Sequence, residues 1–138
     1  MTSMADISKY AEEASRRTGV PSSVIAAQAA LESRYGKSAP GNNYFGIKAF
    51  KSWNGPVQNL MTTEYVNGKK VRVRQPFRKY ETPVQSFVDW ANLIANNPRY
   101  ANVLTATTPE EAFKALKAGG YATDPNYVGK LMAAHSRV

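Results

Sequence analysis

Near the start of the chain, Ile7, Tyr10, Ala11 and Ala14 fall at helical spacing and predict an amphipathic helix from about Asp6 to Arg17. Ser3 stands three residues ahead of Asp6 as a capping box, and Gly19 closes the segment. Val20-Pro21-Ser22-Ser23 opens a second helix. Its continuation, Val24-Ile25-Ala26-Ala27-Gln28-Ala29-Ala30-Leu31, is apolar on nearly every face, as suits a core helix whose alanines admit close neighbours. Gly36 marks its end, one turn after Glu32.

From about 42 to 80 the period changes. Pro56, Asn67-Gly68 and Pro76 punctuate runs holding Val57, Tyr65, Val66, Val71, Val73 and Phe77. Asn67-Gly68 suits a type I′ turn and predicts a hairpin with Glu64 opposite Val71. Alternation then places Thr62, Glu64, Val66, Val71 and Val73 on one face and Thr63, Tyr65, Lys70, Arg72 and Arg74 on the other. Helices resume at Thr82-Pro83-Val84-Gln85, with a buried stripe through Val84, Phe87, Val88, Ala91, Ile94 and Ala95. Thr108-Pro109-Glu110-Glu111 starts a shorter helix through Leu116, closed by Gly119-Gly120, and Asp124-Pro125 starts a last one through Leu131. The expected fold class is α+β: a mainly helical body over residues 1–41 and 81–138, with a small β-hairpin lobe at about 42–80.

Composition narrows the chemistry. The length of 138 residues suits one domain with its own core, and no apolar run is long enough to span a bilayer. Cysteine is absent and His135 is the one histidine, so thiol nucleophiles, Ser-His pairs and multi-histidine metal sites are excluded. Acid–base work falls to the carboxylates, tyrosines and lysines. The net charge of +8 implies a polyanionic partner: nucleic acid, an anionic membrane or an acidic cell wall. Lys69, Lys70, Arg72, Arg74, Arg78 and Lys79, near Tyr65 and Phe77, suit the first of these, although no nucleic-acid motif accompanies them.

Glu32 is the anomaly, an acid ending an apolar helix where the negative end of the dipole and desolvation both disfavour its charge. A carboxyl that keeps its proton near neutral pH can protonate the leaving oxygen of a sugar linkage. The plainer reading is a surface glutamate paired with Arg34 or Lys37.

Gln28-Ala29-Ala30-Leu31-Glu32-Ser33, Gly36 and Asn43-Tyr44-Phe45-Gly46-Ile47-Lys48 stand in that order, followed by Phe77-Arg78-Lys79-Tyr80, Ser86-Phe87 and Gly120-Tyr121-Ala122-Thr123-Asp124-Pro125-Asn126-Tyr127. With these motifs the sequence resembles the β-N-acetylglucosaminidases of glycoside hydrolase family 73 over nearly its whole length. The resemblance implies a lysozyme-like helical core with a β-lobe beside the cleft, and cleavage of the peptidoglycan glycan strand after N-acetylglucosamine. N-acetylmuramidase and lytic transglycosylase activities suit the same cleft, and so does a non-catalytic wall-binding module, against which the retained Glu32 counts. The resemblance makes Glu32 the catalytic acid and Glu64 the second acidic residue, unless Glu64 only pairs with a basic hairpin residue. Tyr121 stands opposite the acid or is simply packed after the two glycines. Asn43, Tyr44 and Phe45 are expected to line sugar subsites, with Tyr35, Trp53 and Tyr65 extending the cleft. Trp90 is expected in the core and His135 exposed at the terminus.

The resemblance is nearest to flagellar members of the family, which implies peptidoglycan as substrate, rod proteins as partners and action in the periplasm. The export signal is expected to lie elsewhere, since the first residues lack the character of a signal peptide. No metal or organic cofactor, nucleic-acid binding or membrane insertion is expected, and a monomer is.

Overall fold

A computed structural model describes residues 2–50 and 52–138. Among the described residues the elements are α1 (Met4–Thr18), α2 (Ser22–Glu32), β1 (Val57–Val66), β2 (Lys69–Arg78), α3 (Pro83–Ala95), α4 (Ala101–Thr105), α5 (Pro109–Ala118) and α6 (Tyr127–His135). The mixed architecture agrees with the expected α+β class.

The apolar pattern explains where α2 sits. Every residue from Val24 to Ala30 is buried, and the helix packs against α1, α3, α5 and α6. Around it Ile7, Phe87, Trp90, Ile94, Phe113, Leu116 and Leu131 complete the core. The predicted capping box of α1 forms reciprocally, with Asp6 N–H donating to Ser3 Oγ at 3.0 Å and Ser3 N–H to Asp6 Oδ2 at 3.2 Å. That box starts α1 two residues earlier than its apolar stripe alone suggests. The pattern misses α4, which has 5 residues and is too short to display a period. The last helix starts later than expected, at Tyr127, because Asp124 first closes a turn by accepting from Asn126 N–H through Oδ1.

The hairpin forms in the predicted register, with Glu64 opposite Val71 and Asn67 and Gly68 at φ 52° and 80°. Its strands run longer than the punctuation suggests, and Pro76 lies inside β2 opposite Asn59. The Pro76 carbonyl accepts from Ala49 N–H on the outer edge of the ribbon, so the missing proline N–H interrupts no bond to β1.

The base of the hairpin is latched to the helical body. Arg78 is 8% exposed and pairs through Nη1 with Asp89 Oδ2 of α3 at 2.8 Å, and Tyr80 O–H donates to the same oxygen at 2.5 Å. Burial and Asp89 together push the Tyr80 phenol well above its usual pKa. Toward the tip the ribbon is open to solvent: Tyr65 is 70% exposed and Val66 50%.

Candidate active site

Glu32 is the last residue of α2. Just beyond it Arg34, Tyr35 and Gly36 all take left-handed conformations, at φ 54°, 60° and 86°. Such backbone costs an L-residue roughly 1–2 kcal/mol. At Gly36 a side chain is excluded as well, since a Cβ would meet the Thr2 carbonyl oxygen at 2.4 Å. The sharp exit carries the chain away from the helix end and leaves Glu32 exposed.

The carboxyl opens into a pocket of ≈ 120 Å³ between the two regions, lined by Asn43 and Gly46 on one side and by Leu60 and Phe77 of the hairpin on the other. A side chain at position 46 would begin 3.7 Å from Glu32 Oε2, so glycine keeps the acid uncovered. Among the described residues no Lys or Arg lies within ion-pair distance of Glu32, and the pairing with Arg34 or Lys37 does not form. Burial raises the Glu32 pKa above the usual carboxylate range, and the Gln28 side chain, donating from Nε2 to Glu32 Oε1 at 3.1 Å, offsets part of the rise.

Tyr121 stands nearby. Its oxygen accepts from Trp90 Nε1–H at 2.9 Å, and its ring lies 6.0 Å from that of Tyr127 with 22° between their planes. Burial pushes the phenol up to about 12, and the charge of Glu32 adds to the effect. Tyr121 therefore stays protonated beside the acid, with its O–H free to donate.

Glu64 occupies the predicted face, which Leu60 also shares, but it does not line the Glu32 pocket. Its partner is not a basic hairpin residue. Lys48, from the loop before β1, reaches Glu64 Oε1 at 2.7 Å. Both side chains are about one third exposed, so the pair is worth roughly 0–1 kcal/mol.

Several expected sugar contacts are elsewhere. Tyr44 and Phe45 are each 4% exposed and pack on Phe87, and Phe45 also stacks on Trp90 at 4.9 Å. Their rings fill the core and present no face to a sugar. Asn43 borders the pocket, yet its amide is already committed: Nδ2 donates to the Ile47 and Arg78 carbonyls, each at 2.9 Å, and Oδ1 accepts from the N–H groups of Phe45 and Ile47. It ties the loop to the hairpin base rather than offering donors to substrate. Tyr65 points away, because alternation from Glu64 sends it to the outer face. Tyr35 is covered by the Arg137 guanidinium at 3.6 Å. Trp53 lies under Arg78 at 4.7 Å and lines a larger pocket of ≈ 420 Å³ with Tyr80 and Asp89, which shares no residue with that of Glu32. His135 is half-buried, edge-on to Phe113, rather than free in solvent.

The contacts of Gln28, Tyr127 and Trp90 with this site escape sequence reasoning. Gln28 is the one polar residue in the apolar run of α2, which was the available signal. Trp90 was expected in the core and is there, 2% exposed, but its indole N–H also serves Tyr121.

A carboxyl whose pKa is raised by desolvation, at the seam between a helical body and a β-lobe, suits the cleavage of a glycosidic bond by proton donation. The class so defined is that of the lysozyme-like glycoside hydrolases. Residues 8–138 match the glucosaminidase family model, described as mannosyl-glycoprotein endo-beta-N-acetylglucosaminidase, and the chain belongs to that family. It is 46% identical over 135 residues to the peptidoglycan hydrolase FlgJ of Salmonella typhimurium, covering 93% of this chain and 43% of that protein. The chain thus spans less than half the length of that relative. The C-terminally truncated glycoside hydrolase domain of the same FlgJ superposes with a TM-score of 0.83 at 44% identity, covering 96% of this chain and 93% of that one. The catalytic domain of the autolysin Auto from Listeria monocytogenes superposes at 0.85 with 33% identity, covering 96% of this chain and 80% of that one.

Proposed function

We propose that residues 1–138 work as a single peptidoglycan hydrolase domain that cleaves the β-1,4 linkage after N-acetylglucosamine, with Glu32 as proton donor. The observation carrying this reading is the Glu32 carboxyl, raised in pKa by burial, unpaired with any cation among the described residues and open to a pocket. The FlgJ likeness supplies the substrate class. The proposal extends to a domain that acts as a monomer in the periplasm, opening the wall for the flagellar rod in company with rod proteins.

In the proposed reaction Glu32 protonates the glycosidic oxygen as the bond from the anomeric carbon to that oxygen breaks. The sugar 2-acetamido oxygen closes on the anomeric carbon, and water then opens the resulting oxazolinium and returns a proton to Glu32. The commitment of Glu64 to Lys48, outside the Glu32 pocket, favours this route. The Tyr121 O–H is suited to hold the acetamido group. A second reading rests on the orientation of Glu64 on the same ribbon face as Leu60, from which it would activate water directly and invert the anomeric centre.

Mass spectrometry of the ends released from purified peptidoglycan tests the bond. Reducing N-acetylglucosamine ends are expected. Reducing N-acetylmuramic acid ends, or anhydro ends, would overturn the assignment in favour of a muramidase or a lytic transglycosylase. The anomer first released, read by NMR, separates the two nucleophiles: retention supports the acetamido route and inversion supports Glu64.

A further inference from the structure

We infer that Gln28 and Tyr127 are positioning residues that fix which oxygen of the Glu32 carboxyl carries the proton to be donated, an inference that rests on the reading of Glu32 as the acid. Gln28 lies one helical turn before Glu32 on α2 and is 0% exposed. Its Nε2 donates to Glu32 Oε1 at 3.1 Å, and its Oε1 accepts from the O–H of Tyr127, the first residue of α6, which is 4% exposed.

In a protonated carboxyl the hydroxyl oxygen donates, and the carbonyl oxygen is the stronger acceptor. The amide nitrogen of glutamine is a donor only, so the carboxyl oxygen facing it must be the acceptor. Oε1, which accepts that bond, is therefore favoured as the carbonyl oxygen of the protonated acid, with the proton on Oε2. Oε2 is the oxygen next to Gly46, which lines the pocket. After the proton has been given away, the same amide bond stabilises the carboxylate left behind, so nothing need rearrange between the two states.

A glutamine amide can face either way, and the opposite sense would defeat the acid. Gln28 Oε1 would then accept the Glu32 proton in an internal bond and draw it away from the pocket. Tyr127 sets the sense. Burial raises its phenol well above the usual pKa, so it remains a donor. It satisfies that donor on Gln28 Oε1, and turning the amide over would leave the phenol oxygen only to accept and take from its buried proton the acceptor it has. Tyr127 thus acts on the acid through Gln28 without touching the reacting atoms.

The test uses the full chain on solubilised glycan strands, comparing Gln28→Met, Tyr127→Phe and the double variant with wild type across pH. Gln28→Met is expected to lower kcat by about tenfold, a fraction of what proton donation itself contributes, while KM stays within about twofold. The alkaline limb of kcat/KM moves upward, because the lost bond favoured the charged form. Tyr127→Phe is expected to lower kcat a few-fold, shift the limb in the same direction by less, and add nothing in the Gln28→Met background. An equal cost of Tyr127→Phe in both backgrounds, or an unmoved limb in the single variants, would overturn the inference. Should Gln28→Met fail to fold, the limb of Tyr127→Phe decides alone. Wild type that cleaves no glycan, or Glu32→Gln that cleaves normally, defeats the reading of Glu32 itself. Active wild type, dead Glu32→Gln and unaltered Gln28 and Tyr127 variants defeat only the positioning role.

Discussion

Glu32 and Glu64 are carboxylates on two regions built by different means. At the end of α2 the residue Glu32 is exposed, yet the helical body supplies no cation to it among the described residues, and partial desolvation of its carboxyl raises its pKa. The two-stranded ribbon has only one covered face, so Glu64 remains about one third exposed and is neutralised by Lys48. A proton donor at neutral pH requires the first environment, because desolvation of a carboxyl needs neighbours on several sides. A lone hairpin cannot provide them. The lobe instead closes one wall of the pocket through Leu60 and Phe77, and its value depends on how firmly its base is held.

Breaking the latch between the regions should have the largest effect on the fold. Asp89→Ala leaves the Arg78 guanidinium largely buried without its anion and removes the acceptor of Tyr80. A loss of about 2–3 kcal/mol is expected, toward the lower end for a buried pair because Asp89 is partly exposed. Chemical denaturation measures it, and activity should fall together with stability.

At the tip, Gly68→Ala places an L-residue at φ 80° and should cost about 1 kcal/mol. The Glu32 pocket lies toward the other end of the ribbon, so turnover at a temperature where the variant is folded should hold within about twofold.

Glu32→Gln sharpens the contrast through stability. An acid whose folded pKa lies above its unfolded value loses protons first in the unfolded chain. Its contribution to stability therefore falls as pH rises from the unfolded value through the folded one. Thermal melts should show Glu32→Gln matching wild type in acid and exceeding it by neutral pH, with the gap opening between those two values. A gap that closes with rising pH would contradict a raised Glu32 pKa.

The smallest effect belongs to the outer face of the hairpin, where Arg72 stands opposite Thr63 and Arg74 opposite Met61. Replacing both arginines with serine should raise KM for whole peptidoglycan a few-fold at low ionic strength and little at high salt, as screening predicts.

Most of the fold was legible in the sequence because its signals are local. The Ser3 capping box, Asn67-Gly68 and the apolar run of α2 each act over a few residues, and each forms as expected. The site was legible only in part. The likeness of the motif around Glu32 singles out that residue, but it cannot tell an aromatic side chain lining a cleft from one filling a core. Tyr44 and Phe45 were expected at the sugar and lie beneath Phe87 and Trp90, an outcome fixed by long-range packing. Asn43 went the same way, its amide consumed by the hairpin base 35 residues away. Lys48 as partner of Glu64, and Tyr127 as partner of Gln28, likewise join segments that no local pattern connects.

The most direct measurement is glycan cleavage by Glu32→Gln and Glu64→Gln, assayed side by side on purified peptidoglycan with both variants shown to be folded. Glu32→Gln is expected to lose at least ~10³-fold of the activity, within the range that positioned proton transfer supplies, whereas Glu64→Gln should retain activity lowered by about tenfold. Near-normal cleavage by Glu32→Gln, or an equal and complete loss in Glu64→Gln, would contradict a mechanism whose chemistry rests on the acid of the helical core.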